Sequence, residues 1–464
     1  MRVAACATAL LLAACGSEEP PAGERPNVLF VSLDDVNDWV APLNDGKRGK
    51  PLVPTPGLDR LAATGILFTN AHTPAPLCTP ARASVAVGRY PRLASGRVEE
   101  YSEESNTFSV ATLPRHFRDN GYRTWVSGKV LPPVSDPEEH WSDSRHLPRP
   151  DAQNRATPLL GPLADTPRRD PLDWGVIDLP ESELHDRAVL DRALEFLHSD
   201  AEGPFFLGVG FHLPHLPWYL PAETRARYDL PGLALPAVPD DDLDDVPAAG
   251  RELAWRRPYT KTASPEDSDH ARILRANAWV EAVAAYVAAT RYADALVDEL
   301  LGALASSAHA HDTIVVLWSD HGWHLGGKHH WRKRTLWEES TRVPLLLSGA
   351  PLAASPRRIE RAVSLVDLYP TLVELCGLPR PAHALDGRSL LGLVRGAASE
   401  HPPALTVEGA GNASVRTDRW RYIRYADGTR ELYDHERDPA EFTNLAETAP
   451  APIEGLAPEF ARLE

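Results

Sequence analysis

Residues 27–38 read Asn27-Val28-Leu29-Phe30-Val31-Ser32-Leu33-Asp34-Asp35-Val36-Asn37-Asp38. Val28 to Leu33 is a short, nearly continuous apolar run, the pattern of a strand buried on both faces of a parallel sheet. Asp34-Asp35 then falls at its carboxyl end, where open α/β sheets hold their ligands. The strand pattern returns at Ile66 to Phe68, Tyr122 to Ser127, Phe205 to Val209 and Ile314 to Trp318. Helical stretches lie between them. Thr55-Pro56 opens one, with apolar Leu58, Leu61 and Ala62, that Gly65 closes, and Ala271 to Leu304 is a longer one. This alternation predicts an α/β fold with a large, mostly parallel, doubly wound central sheet flanked by helices.

Towards the carboxyl end the character changes. Ser414 to Tyr425 alternates aromatic and basic residues, Asp427-Gly428 is a turn signal, and Glu431 to Asp434 reads as the returning strand. A small antiparallel-sheet subdomain over 376–464 is the simplest reading, with 27–375 as the larger domain. The length, 464 residues, exceeds what one core usually fills. A formal net charge of −17 argues against a nucleic-acid partner while leaving room for a local basic pocket. Many of the 44 prolines fall between positions 131 and 265, where long rigid loops are expected.

Residues 1–14 read as a targeting segment. Arg2 supplies a positive charge, Val3 to Ala14 is apolar but too short to span a bilayer, and small residues follow. Leu12-Ala13-Ala14-Cys15-Gly16 has the form of a bacterial lipobox, with an ordinary cleaved signal as the alternative. A lipobox makes Cys15 the lipidated first residue of an exported cell-envelope lipoprotein, attached to the membrane through that lipid. Residues 15–26 then form a polar, proline-rich tether.

The chemistry centres on Leu77-Cys78-Thr79-Pro80-Ala81-Arg82. Pro80 suits the first turn of a helix that runs through alanine-rich Ala81 to Val87 and ends at Gly88. Cys78 then lies at the helix mouth, where free N–H groups and the dipole favour an anion. Arg82, about one turn on, projects from the same face, so that one anion touches both. Taken alone, such a cysteine is most often a small buried hydrophobe. Ile314 to Trp318 runs into Ser319-Asp320-His321-Gly322, a second strand end presenting an acid. Two such ends bring Asp34, Asp35 and Asp320 around one cation, although aspartates also serve turns and caps. Lys328, His329, His330, Arg332, Lys333 and Arg334 crowd together, a pattern whose ordinary meaning is a solvated charged loop.

A cysteine followed two residues later by proline and four later by arginine, with Asp34-Asp35 and Asp320-His321 elsewhere, closely resembles the sulfatase family. The likeness runs from Asn27 to about Leu445 and is greatest to iduronate-2-sulfatase-type members. Its carriers are Asp34 to Asp38, the loop Gly210-Phe211-His212-Leu213-Pro214-His215, and Ser319 to Gly326. The resemblance implies an alkaline-phosphatase-like sandwich and a sulfuric ester hydrolase. It implies that a formylglycine-generating maturation enzyme oxidises Cys78 to 3-oxoalanine (formylglycine), and that Asp34, Asp35, Asp320, His321 and the matured Cys78 hold one calcium ion (Ca2+). It further implies that Asp320 takes the nucleophile's proton, that Arg82, Lys129 and Lys333 stabilise charge on the sulfuryl oxygens, and that His215 protonates the leaving alcohol. The expected substrate is an O-sulfated glycosaminoglycan or another sulfated saccharide. With Cys6 lost in the signal, Cys15 lipidated and Cys78 converted, Cys376 stands alone in apolar Leu368 to Leu378 as a buried thiol, and no disulfide framework remains.

One departure stands out. Such relatives usually place a histidine shortly after the lysine of the Gly-Lys motif, whereas this chain reads Gly128-Lys129-Val130-Leu131-Pro132-Pro133. The hydrogen bond that such a histidine makes to the formylglycine is then either lost or supplied from elsewhere, with His140 and His72 as the candidates. Two rival readings remain at this stage: a phosphatase or phosphonate hydrolase of the same superfamily, and a non-catalytic lipoprotein that binds sulfated glycans.

Overall fold

The apolar run Asn27–Leu33 (β1) is the inner strand of a seven-stranded sheet in a computed structural model that describes residues 25–144, 172–199, 203–257, 263–349, 352, 356–397 and 400–464. The segment expected to be a signal, residues 1–14, Cys15 and most of the 15–26 tether lie outside the described residues. The other strands are Ile66–Phe68 (β2), Arg123–Gly128 (β3), Phe205–Gly210 (β4), Thr313–Ser319 (β5), Leu345–Ser348 (β6) and Arg357–Ile359 (β7). Their order is β7-β2-β6-β5-β1-β4-β3. Only β6 runs against its neighbours, so the sheet is mostly parallel.

Side chains of β1 alternate between two layers. Leu29, Val31 and Leu33 face the helices Pro56–Thr64 (α1), His185–Leu197 (α3) and Trp279–Ser306 (α4), which supply Leu58, Leu61, Val189, Leu190 and Tyr286 to one core. Val28 and Phe30 face the helices Cys78–Val87 (α2) and Leu368–Leu375 (α5), with Val85, Leu368 and Leu372 in the other. Such strands read as continuous apolar runs because neither face meets water. Phe30 lies 5.4 Å, centroid to centroid, from both Phe206 and Trp318; truncating it to alanine is expected to cost about 3–5 kcal/mol.

Two expectations need correction. The stretch from Ala271 to Leu304 is not one helix: it divides into Asp269–Arg275 and α4, with Asn277 between them at φ 53°. Asparagine tolerates that left-handed conformation, and no Gly or Pro marks the break in the sequence. Ser414 to Tyr425 is likewise two strands. Ala404–Val407 (β8), Ala413–Arg416 (β9), Trp420–Arg424 (β10) and Arg430–Asp434 (β11) form a four-stranded antiparallel sheet. Thr417 makes the extra turn, its hydroxyl accepting from the backbone N–H of Trp420 at 2.9 Å. Cys376 caps α5 and is buried, 2% exposed. Among the described residues no helix is long and apolar enough to cross a membrane.

Candidate active site

Four parallel strands end level with one another, since Leu33 lies opposite Ser319, Ser32 opposite Gly210, and Gly128 opposite Gly210. Asp34, Asp320, Lys129 and His212 therefore leave the sheet together. The approach is close enough to demand glycine: a Cβ on Gly210 would lie 2.1 Å from the Lys129 carbonyl oxygen, and one on Gly322 would lie 2.0 Å from that of Glu339. The Asp320 N–H donates to Leu33 O at 3.2 Å and that of Asp35 to Asp320 Oδ1 at 3.2 Å. Asp35 itself has φ 69°, a left-handed conformation that is uncommon outside glycine and recurs at functional sites.

Helix α2 delivers Cys78 to this edge. It starts at Cys78, two residues before Pro80, and Pro80 still falls within the first turn, where a missing N–H costs nothing. Gly88 ends it at φ 66°. Lys333 Nζ lies 3.0 Å from Cys78 Sγ and 2.8 Å from Asp35 Oδ1. His321 bridges the same two groups, with Nε2 3.3 Å from Sγ and Nδ1 3.3 Å from Asp35 Oδ1. Lys129 is paired with Asp34 Oδ2, and His212 Nδ1 lies 3.7 Å from that oxygen. One donor atom each from Asp34, Asp35, Cys78 and His321 lies within 4.8 Å of the others. Asp320 borders this group, its Oδ2 3.6 Å from His321 Nε2.

Asp34 Oδ1 and Asp35 Oδ2 are buried with no hydrogen-bond partner. Buried carboxylate oxygens are costly unless a positive group completes them. Hard oxygen donors in this number and spacing fit a divalent cation, with His321 the less usual member.

The charges around the site divide the two acids. Burial alone would raise Asp34, but Lys129, His215, Arg82 and Lys333 hold it well below the usual carboxylate range. For Asp35 burial prevails over Lys333, His215 and His321, and its pKa is raised. Burial and Asp34 push the Cys78 thiol up, yet Lys129, Lys333 and His321 bring it well below its ordinary value, which makes position 78 an electropositive, half-buried spot. Burial and Lys333 depress His215, while Asp35, Asp34 and a hydrogen bond to Cys78 carry it up to about 9. Asp320 is pushed up to about 7 by burial and by Asp34, against Arg82.

Arg82 does not do what its helical spacing suggests. Its side chain is fully buried, with Nε on Asp320 Oδ2 at 2.9 Å, Nη1 on Ser32 Oγ at 3.1 Å and on the Lys129 and Val130 carbonyls, and Nη2 on Leu33 O at 3.4 Å. Those bonds tie together the ends of β1, β3 and β5 and commit the guanidinium to the strand ends, with Nη2 also 3.6 Å from Asp34 Oδ1. The basic run after Gly326 is not a solvated loop either. Lys328 is buried on Asp242 Oδ1 at 2.7 Å, His330 on Ala254 O at 2.7 Å and Arg332 on Asp269 Oδ2 at 2.7 Å, while Lys333 alone of the run bonds Cys78. Nor do the expected stand-ins for the missing histidine bond Cys78. His72 bonds Asn70 at 2.8 Å and His140 bonds Thr112 at 3.1 Å, while Pro132, three residues after Lys129, is buried. Sequence reading overlooked His212, whose signal was its place two residues past the end of β4.

A sulfatase family model matches residues 26–378, and a model described as N-sulphoglucosamine sulphohydrolase, C-terminal, matches 326–453. A sulfatase of Formosa agariphila is 32% identical over 443 residues, covering 91% of this chain and 83% of the relative. Iduronate 2-sulfatase of Mus musculus is 30% identical over 407 residues, covering 76% and 69% respectively. Among solved structures, the phosphonate monoester hydrolase of Agrobacterium radiobacter matches with TM-score 0.73 at 22% identity, covering 95% of this chain and 96% of that one. A 2-O GAG sulfatase matches with TM-score 0.69 at 24% identity, covering 95% and 91%; both are likenesses of fold. With the family model spanning most of the chain and a sulfatase matching nearly all of it, this protein belongs to the sulfatase family of sulfuric ester hydrolases.

Proposed function

We propose that the protein cleaves an O-sulfate ester of a sulfated saccharide, with Cys78 matured to formylglycine and a calcium ion held by Asp34, Asp35, Asp320 and His321. The observation that carries this reading is the setting of Cys78, which sits at a helix N-terminus with Lys333 at 3.0 Å and His321 at 3.3 Å, beside two buried carboxylate oxygens, Asp34 Oδ1 and Asp35 Oδ2, that accept no hydrogen bond. When bound, the cation would polarise the sulfuryl oxygens and favour ionisation of the nucleophile. Maturation of Cys78 supplies an oxygen nucleophile in place of sulfur.

The remaining work belongs to the chain itself. Lys129 and Lys333 place positive charge around position 78 and oppose the negative charge that develops on the sulfuryl oxygens. Asp320, whose affinity for a proton burial and Asp34 raise, accepts the nucleophile's proton. His215, whose protonated form the nearby Asp35 and Asp34 favour, donates its proton to the leaving alcohol oxygen. Arg82 acts one step back, fixing Asp320 against the ends of β1 and β3.

Uronate 2-O-sulfate is the substrate class that the similarity to iduronate 2-sulfatase supports. The lipobox reading supports an exported, lipid-anchored envelope protein that meets such saccharides outside the cytoplasm. The deciding experiment expresses the full chain with a formylglycine-generating enzyme, takes a mass spectrum of the peptide spanning Cys78, and assays sulfated disaccharides beside a phosphonate monoester. Loss of the thiol with gain of an aldehyde, and release of sulfate, are expected. An unmodified cysteine, or turnover of the phosphonate without turnover of any sulfate, overturns the proposal.

A further inference from the structure

Lys333 and Arg334 are neighbours in the chain with opposite fates. Lys333 is turned inward to Cys78 and Asp35, its side chain 9% exposed, whereas the Arg334 side chain is 48% exposed. Both Arg332 and Arg334 adopt left-handed backbone, at φ 83° and 76°, a conformation that costs an arginine energy and reverses the direction of successive side chains. The Arg334 N–H donates to Pro76 O at 3.1 Å, two residues before Cys78, so the strained turn is fastened to the wall that carries the nucleophile.

A buried acid holds the arginine head. Arg334 Nε donates to Glu408 Oε1 at 2.9 Å, and the Glu408 side chain is only 4% exposed. Glu408 follows β8, whose last residue, Val407, donates to Pro74 O at 2.9 Å, while Asn412 closes the loop behind it onto the Glu408 carbonyl at 3.0 Å. Burial raises the Glu408 carboxyl, and Arg334, Arg256 and His321 act against that rise, which puts this acid within the field of the site. Among the described residues, no acceptor meets either Nη atom of Arg334. An exposed ion pair contributes little stability on its own and does not call for a strained turn. A guanidinium clamped through Nε, with its Nη atoms free and its backbone fastened two residues from Cys78, is suited to receive an oxyanion through both Nη groups.

We propose that Arg334 is a specificity-determining residue whose Nη edge takes a second anionic group of the substrate, the carboxylate of a uronic acid or a second sulfate, next to the ester presented to position 78. This assignment rests on the sulfatase reading above, and it narrows the substrate to saccharides carrying more than one negative charge. Glu408 is its positioning partner.

The test uses the matured full chain and pairs of substrates that differ by one anionic group: a 2-O-sulfated uronate disaccharide against its carboxyl-reduced counterpart, and a disulfated neutral disaccharide against its monosulfate. The wild type should show the lower KM for the dianionic member of at least one pair, and the pair that responds identifies the group. Arg334→Gln should raise that KM by about tenfold or more. It should leave kcat and the KM of the monoanionic member within about twofold, a stated expectation for a group that touches only the extra anion. Arg334→Lys should recover part of the loss, and Glu408→Gln should weaken the dianionic substrate selectively. A wild type blind to the extra charge in both pairs overturns the proposal, as does an Arg334→Gln variant that loses all substrates equally along with thermal stability. Failure to release sulfate from any member would instead sink the underlying sulfatase reading.

Discussion

Two buried clusters in this molecule look alike by composition and differ in what they leave undone. In each, three or more side chains of ligand type come within 4.8 Å: Asp34, Asp35, Cys78 and His321 in one, and Glu338, His435 and Glu441 in the other. In the second, every carboxylate oxygen has a donor. Arg48 meets Glu338 Oε1 at 3.1 Å, and Arg416 (3.2 Å) and Arg421 meet Oε2. Arg421 Nε (2.6 Å) and His435 Nε2 (2.9 Å) meet Glu441 Oε1, and the Glu338 N–H meets Oε2 at 2.8 Å. A cation there would have to displace guanidinium groups already in place. At the first cluster two carboxylate oxygens accept no hydrogen bond, and the nearest guanidinium nitrogen to one of them, Arg82 Nη2, lies 3.6 Å from Asp34 Oδ1. Closeness of acids is therefore a poor sign of a cation site, and an unmet oxygen is a better one. The second cluster is a joint: Arg416 and Arg421 come from β9 and β10, while Glu338 follows Lys333 by five residues, so the carboxyl-terminal sheet anchors the segment that carries the site lysine.

The comparison predicts opposite outcomes for one substitution in each cluster. Cys78→Ala should lower turnover by about 10⁴-fold or more, the scale seen when a nucleophile is removed. Its midpoint of thermal unfolding should move by only about 2 °C, because a small side chain at a helix start is replaced by another. Arg421→Met should do the reverse. It leaves two buried glutamates short of a partner and should cost about 3–5 kcal/mol in denaturant unfolding, with KM unchanged for the folded fraction. If Cys78→Ala unfolded the protein, or Arg421→Met left its stability intact, the division of labour between the clusters would be wrong.

Much of this was legible in the chain before any coordinates. A doubly buried strand writes itself as an apolar run, so β1 and β5 and the acids at their ends, Asp34, Asp35 and Asp320, can be read directly. Spacing also placed Cys78 at a helix start. Direction was what spacing could not convey. Arg82 lies one turn beyond Cys78, but its guanidinium is claimed by Asp320, 238 residues away. The run from Lys328 to Arg334 carries left-handed residues at 328, 329, 332 and 334, which scatter its side chains among different partners and hide which of them faces the nucleophile. Residue type alone makes His72 and His140 candidates, and the fold gives them Asn70 and Thr112 as partners. The split of Ser414 to Tyr425 into two strands turns on a single threonine hydroxyl that no periodicity reports.

The joint should also set the acid limit of the fold. Burial and then Arg416 push His435 down to about 4, although Glu338 and Glu441 pull the other way. Between that value and the ordinary 6.5, the unfolded chain binds a proton that the folded protein refuses. Stability therefore rises with pH across this window and is lost on acidification, by about 3 kcal/mol at most from this residue. Burial would raise Glu441, but Arg421 and His435 hold it at about 2, so its contribution is complete above its ordinary 4.5 and disappears as the pH falls towards 2. Urea unfolding at pH 7, 5.5 and 4.5 should show the first loss, and His435→Asn should flatten it. An unchanged slope in that variant would remove His435 from the account.

The smallest effect is expected at Asp35, and it separates the clusters most sharply. Asp35→Asn keeps the side-chain shape, tolerates φ 69° and removes a buried charge next to Asp34, while Lys333 loses a charged partner at 2.8 Å. These changes oppose each other, so without calcium the variant should stay within about 1 kcal/mol of the wild type, since it creates no cavity and the relief of repulsion at Asp34 offsets the weaker Lys333 contact. With calcium the two proteins should part. A ligand that binds only the folded state at a hundred times its Kd adds about 2.7 kcal/mol, and the variant should forfeit most of that gain. Glu441→Gln is the control: its loss should be the same with calcium or with a chelator, because Arg421, His435 and the Glu338 N–H already complete that acid. Calcium stabilising Asp35→Asn as strongly as the wild type would mean that the unmet oxygens of the first cluster are not where the cation binds, and the contrast between the clusters would then rest on the thiol alone.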